Sequence, residues 1–164
     1  MPPRSIELRD GRAVTARPLR APDDAQVQAF VRALSPESRR ERFFGAVAEL
    51  SPRQLERLIA APGLSLGAWH GPGSVVGLAQ YALGEEEEAE FAVVVAEDWR
   101  GNGLGKALLG VLLEHAARHG VSRLGGVALV HNRAMRLLAA GLGFAFRREA
   151  DPGMLRMERL LEAA

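Results

Sequence analysis

The stretch EFAVVVAEDWRGNGLGKALL, residues 90–109, constrains the chain more than any other. Its apolar run stops at a charged turn. Gly101, Gly103 and Gly105 follow at alternate positions between Arg100 and Lys106. Behind them Leu104, Ala107, Leu108, Val111, Leu112 and His115 keep helical spacing up to Gly120. A strand, a glycine turn and a helix therefore meet here. Glycines let backbone and ligand approach closely. The unpaired N–H groups at the helix start carry positive potential, and the two cations add to it. A phosphate or pyrophosphate suits such a turn. The loop is not a Walker A loop: the required first glycine falls on Arg100 and the hydroxyl position on Ala107. A dinucleotide fingerprint would place its third glycine on Lys106, and the loop lies late in the chain after a hairpin, which disfavours NAD.

The charge balance requires any anion site to be local. With 21 basic and 20 acidic residues the formal net charge is +1, so no global field draws nucleic acid or an anionic membrane. Neither is expected as a partner. There is no cysteine, which excludes disulfides and thiolate chemistry. His115 and His119, four apart, could share a helix face and hold a metal. No carboxylate or thiol completes that set, so a surface pair and no metal site are expected. The N-terminal MPPRSIELRD has no apolar run of signal-peptide length, and no stretch approaches about 18 apolar residues. A cytoplasmic protein is the expectation. At 164 residues, one domain over 1–164 is expected.

Turn and cap signals divide the chain. Residues 5–20 read as two strands around Asp10-Gly11. Helices follow over 22–34, 35–44 with Ser35 as cap, and 51–61 with Ser51 and Gln54 spaced as a capping box. Segments 64–70, 74–83 and 89–97 read as strands, with the Glu85–Glu88 run as a solvated hairpin loop. After the 103–119 helix come a strand over 121–130, a helix over 132–143 capped by Asn132, and strands over 144–150 and 154–161. The order ββαααβββαβαββ predicts an α/β (α+β) sandwich: a mixed, mostly antiparallel central sheet flanked by helices.

WRGNGLGKALL resembles the (R/Q)-x-x-G-x-G/A loop of the GNAT N-acetyltransferases, with Arg100, Gly103 and Gly105 on the fixed positions. HNRAMRLLAAGLGF is similar to the family's second signature through Asn132, Met135, Gly143 and Phe144. The resemblance covers residues 64–150, and the element order of the whole chain fits it. It implies a GNAT fold and acetyl-CoA as co-substrate, with CoA as product. The loop Arg100, Gly101, Asn102, Gly103, Leu104, Gly105 and Lys106 would hold the pyrophosphate. The pantetheine would lie where the strands 90–96 and 122–130 splay. There the backbone of Val93, Val94 and Val95 would pair with its amides, and Asn132 would contact the cofactor arm. LSPESRRERFF looks like the LSPES-x-x-x-RFF stretch of Pat-type enzymes, which acetylate protein lysines. Such enzymes often carry a second, regulatory or ligase-like domain. The chain has no room for one, so regulation by it is not expected. GNAT enzymes often dimerise, which makes a homodimer an expectation too.

Acetylation needs a neutral amine, and a lysine with pKa about 10.4 is about one part in 2,500 neutral at pH 7. Glu90 matches the catalytic glutamate of the Pat-type segment. Side-chain alternation puts it on one face with Ala92 and Val94, where apolar neighbours would raise its pKa and suit a general base. Glu97 and Asp98 read as solvated turn residues, His131 as a surface residue, and Trp69 and Phe91 as core. Where many GNAT enzymes carry a tyrosine acid, this chain has Ala139; Tyr81 is its one tyrosine. The resemblance then leaves the oxyanion to a backbone N–H of Val94 or Val95. The amine acceptor stays open between a protein lysine and a small molecule, and a non-catalytic acyl-CoA-binding module is the alternative. Segment 22–50 would line the acceptor side. Arg39, Arg40 and Arg42 there face an acidic acceptor, a partner or solvent.

Overall fold

The computed structural model describes residues 1–162. Eight strands form one sheet: β1 (Arg4–Glu7), β2 (Ala13–Pro18), β3 (Gly63–His70), β4 (Ser74–Leu83), β5 (Glu88–Val95), β6 (Arg123–Leu129), β7 (Ala145–Arg148) and β8 (Met154–Leu160). Five α-helices accompany them among the described residues: α1 (Asp24–Ala33), α2 (Pro36–Phe43), α3 (Pro52–Ala60), α4 (Leu104–Arg118) and α5 (Arg133–Gly141). The chain order of these elements is the expected one, and the fold class is the mixed α/β sandwich read from the sequence. Strand order in the sheet is β1-β2-β3-β4-β5-β6-β8-β7. Every pairing is antiparallel except β5 with β6.

The helix starts are chemically specified. Ser51 accepts from the Gln54 N–H while Gln54 accepts from the Ser51 N–H, closing the capping box of α3. Ser35 accepts from the Ser38 N–H at the start of α2, and Asn132 from the Met135 N–H at the start of α5. Leu104, Leu108, Leu112 and Ala116 form the buried stripe of α4 and pack on one face of the sheet with Phe91, Val93 and Val95. On the other face Val27, Val31 and Leu58, from α1 and α3, pack with Trp69, Leu78 and Val94. Trp69 and Phe91 are core residues, as expected. Strand β5 thus serves two cores, its side chains alternating between them.

One irregularity of the sheet opens the site. Strands β5 and β6 pair only at Glu88–Arg123, Ala89–Leu124 and Glu90–Gly125. Beyond Glu90 they diverge. The Phe91 ring occupies the space a side chain at Gly126 would need: a Cβ there would lie 2.7 Å from the ring. The gap between the strands continues into a cleft of about 750 Å³, lined on one side by the glycine turn and on the other by α2.

Candidate active site

The turn at the head of α4 is built for close approach. Gly103, the residue preceding the helix, has φ +91°, a left-handed conformation that favours glycine. A Cβ on Gly105 would lie 2.7 Å from Leu138 Cδ1 across the cleft. Gly101, Gly103, Leu104, Gly105, Lys106 and Arg100 all line the cleft. Asn102 belongs to the same turn, where its Nδ2 donates to the Arg100 carbonyl at 3.1 Å and its carbonyl accepts from the Arg9 N–H at 3.2 Å. Arg9, from the β1–β2 hairpin, also lines the cleft and brings a third cation to the turn. Nothing in its local sequence separates it from the other hairpin arginines.

Register decides which main-chain groups of β5 face the gap. The Ala96 N–H donates to the Val76 carbonyl of β4 at 2.9 Å, and Leu78 lies opposite Val94. Hydrogen-bonding direction alternates along an antiparallel strand. Val94 therefore spends its N–H and C=O on Leu78, contrary to the expected role of its backbone. Val93 and Val95 direct theirs to the side that β6 has left. The Val95 carbonyl accepts from Arg100 Nε at 3.1 Å. Across the gap, Asn132 uses Oδ1 to cap α5 and lines the cleft.

Glu90 sits at the last β5–β6 pair and lines the cleft, but not among apolar neighbours. Its side chain is 57% exposed and its Oε1 accepts from Arg156 Nη1 of β8 at 2.6 Å. Arg156 also holds Glu149, at 2.5 Å, and the bond to Glu90 is the largest cause raising its own pKa. The sequence misses this partner because β8 joins β6 by a long-range pairing. A second recess of about 370 Å³, lined by Glu85, Glu86, Glu88 and Glu158, opens on the far side of Glu90.

Glu97 is not a free turn residue. Its Oε1 accepts from the Ser35 N–H at 2.9 Å and from Ser38 Oγ at 2.7 Å. Burial opposes ionisation, but these bonds prevail and hold its carboxyl down at about 2. Ser38, 2% exposed, also accepts from Arg100 Nη2 at 2.8 Å. The SPES segment thus ties α2 to the cation of the glycine turn. Asp98 is exposed, and its carbonyl accepts from Arg12.

Arg42 of α2 reaches into the cleft, half-buried, and Nη2 donates to Gln80 Oε1 at 3.0 Å. Burial pushes its guanidinium down to about 10. Arg39 instead turns to the carbonyls of Arg32 and Leu34, and Arg40 is exposed. Neither Tyr81 nor Ala139 reaches the cleft. Tyr81 is 1% exposed and bonds His115 Nδ1 at 2.8 Å, which makes His115 a half-buried partner rather than one of a surface pair. His119 stacks on His115 at 3.9 Å. Ala139 is fully buried in the core. His131 lies beside Glu37 and Glu41 of α2, their ligand atoms within 4.8 Å of one another, a grouping that no sequence spacing reveals.

A splayed parallel strand pair, a glycine turn at a helix N-terminus and strand amides between them thus meet in one cleft of a mixed α/β fold. The profile of the Acetyltransferase (GNAT) family matches residues 27–144, and the chain belongs to that family of acetyltransferases. It is 37% identical to Acetyltransferase PA5475 of Pseudomonas aeruginosa, covering 93% of this chain and 86% of the relative. Over 43% of the chain it is 39% identical to Acetyltransferase Pat of Mycolicibacterium smegmatis, spanning 21% of that protein. The crystal structure of the GNAT domain of S. lividans PAT superposes with a TM-score of 0.90 at 26% identity, covering 97% of each chain. Members of the family use acetyl-CoA as co-substrate. Among the described residues, no helix is long and apolar enough to cross a membrane.

Proposed function

We propose that residues 1–164 are a single acetyl-CoA-dependent N-acetyltransferase domain that acetylates a primary amine, with Glu90 as general base. The observation that carries this reading is the end of β5–β6 pairing at Glu90, which leaves the Val93 and Val95 N–H groups facing the gap beside the glycine turn. The residues present fit acetyl-CoA. Arg9, Arg100 and Lys106 surround a turn whose missing side chains leave room for a pyrophosphate, and strand amides face the gap. When bound, acetyl-CoA supplies an activated acetyl thioester whose thiol, with pKa about 8.5, leaves without an acid.

The chain's own residues do the rest. Val93 and Val95 offer N–H donors to the pantetheine amides and the thioester oxygen. Asn132, which caps α5 and lines the cleft, would contact the cofactor arm. Arg156 fixes one oxygen of Glu90 and orients the carboxylate. The other oxygen takes a proton from the acceptor ammonium, directly or through a water, so that the neutral amine can attack. A positioned base is worth about 10²–10⁴ in rate. The likeness of LSPESRRERFF to Pat-type enzymes favours a protein lysine as acceptor.

The test pairs binding with turnover. Acetyl-CoA and CoA, at about 100 times their Kd, are expected to stabilise the protein by about 2.7 kcal/mol, whereas ATP and NAD leave its melting temperature unchanged. Glu90→Gln is expected to keep that shift and lower turnover about tenfold or more. Unchanged turnover removes Glu90 from the mechanism. A shift without turnover on any amine points to a binding module.

A further inference from the structure

The half-buried arginines of this fold differ in what satisfies their heads. Arg17 is paired with Asp23 at 2.8 Å, and Arg156 with Glu90 and Glu149. Arg39 and Arg159 donate to backbone carbonyls instead, whereas Arg42, which lines the cleft, has no carboxylate oxygen within 4.0 Å among the described residues. Its bonded partner is the neutral Gln80 amide, its Nε is buried with no acceptor, and Phe43 stacks on it with the ring centroid at 4.8 Å. The carboxylates nearby are otherwise placed: Glu90 is held by Arg156, and Glu41 lies with Glu37 and His131. A cation withdrawn from water normally has an anion beside it. Here the open side of the guanidinium is the cleft.

Register places this cation relative to the reaction. Gln80 lies opposite Ala92, and Ala82 opposite Glu90. Gln80 is thus the diagonal neighbour of Glu90 on the same sheet face, at about 7–8 Å. Phe44 lines the same part of the cleft, is 49% exposed, and holds φ 55°, an uncommon conformation for a bulky residue. Base, apolar surface and unpaired guanidinium match amine, methylene stem and anion.

We propose that Arg42, steadied by Gln80, is the specificity residue of the acceptor half of the cleft, and that it receives a carboxylate carried several ångströms from the amine to be acetylated. A guanidinium fork matches a carboxylate in two parallel hydrogen bonds. The carboxylate belongs either to a free ω-amino acid or to an acidic residue beside a target lysine; the chemistry at Arg42 is the same. This inference rests on the amine-acceptor reading given above.

The experiment compares amines that differ only in the anion: 5-aminopentanoate against n-pentylamine, and a lysine peptide flanked by Glu against the same peptide flanked by Gln. Binding to the CoA-saturated protein is measured by calorimetry, and kcat/KM is measured with acetyl-CoA. At least one carboxylate-bearing member is expected to bind about tenfold tighter than its neutral match, with kcat/KM raised to match. R42M is expected to erase that preference, and R42K to keep part of it, with the KM for acetyl-CoA unchanged in both. A preference seen only with the free acid assigns the carboxylate to a small molecule, and one seen only with the peptide assigns it to a protein; either supports the subsite. Equal binding and equal kcat/KM within both pairs of the wild-type protein overturn it, whatever the variants do. Carboxylate-selective binding lost in R42M, with no amine acetylated, leaves the subsite standing and removes the transfer reading instead.

Discussion

On the α4 side of the cleft main-chain groups face the gap, ringed by the cations Arg9, Arg100 and Lys106; on the α2 side, side chains alone face it. The glycine turn presents N–H groups at the head of a helix, and β5 presents the amides of Val93 and Val95. The α2 side presents Arg42, Glu41 and Phe44, with Gln80 beneath them. A wall made of backbone holds whatever shares its invariant ligand, because every member of a family can keep the same peptide groups. A wall made of side chains can change acceptor by substitution without disturbing the fold. The two walls are joined at one place, where Ser38 of α2 bonds both Glu97 and Arg100.

Gly103→Val breaks the backbone wall outright and carries the largest effect. Valine at φ +91° is strained by about 1–3 kcal/mol, and its branched side chain obstructs the N–H groups of the turn. The stabilisation by CoA is expected to disappear, while far-UV circular dichroism stays that of the folded protein. Retained stabilisation by CoA would show that the turn is not where the ligand's phosphates lie.

The backbone wall was legible from residues 90–109 because its glycines mark a left-handed turn and a close approach. The caps Ser35, Ser51 and Asn132 were legible because each acts within three residues of itself. Contacts spanning long separations were not. Glu97 reads as a solvated turn residue because its partners lie 59 and 62 positions away. Glu90 reads as a base in apolar surroundings because Arg156, 66 positions on, reaches it only once β8 has inserted between β6 and β7. Val94 was grouped with Val93 and Val95 because a run of valines gives side-chain alternation but not the direction of each N–H. That direction follows from the register with β4. Arg42 is the same problem in the acceptor wall, since its open valence appears only once Glu90 is seen to bond Arg156 and Gln80 to meet the guanidinium.

Ser38→Ala sharpens the comparison by cutting the tie between the walls. The hydroxyl is buried, donates to Glu97 and accepts from Arg100, so its loss leaves two charged groups short of a bond. A cost of about 1–3 kcal/mol is expected, read as a lower melting temperature. The KM for acetyl-CoA is expected to rise because Arg100 loses its anchor, while the acceptor preference set by Arg42 stays. A change in acceptor preference alone would mean that Ser38 serves the side-chain wall and not the turn.

The smallest effect is expected from the carboxylate at that junction. Glu97 is held at about 2, below its ordinary value of 4.5, by the N–H and hydroxyl groups of Ser35 and Ser38. A carboxyl lowered in the folded state contributes stability above its unfolded value, and loses it as pH falls through the folded value. Its contribution is therefore full above about pH 4.5 and gone near pH 2. Because the residue is exposed to solvent, the contribution is screened and amounts to about 2 °C or less. Glu97→Gln is expected to melt slightly below wild type at pH 6, with the gap closing between pH 4.5 and 2 and no change in kcat. A gap that persists at low pH would assign the loss to packing of the side chain. The charge would then have no part in the junction, and Arg100 would be positioned by the Ser38 hydroxyl and the Val95 carbonyl alone.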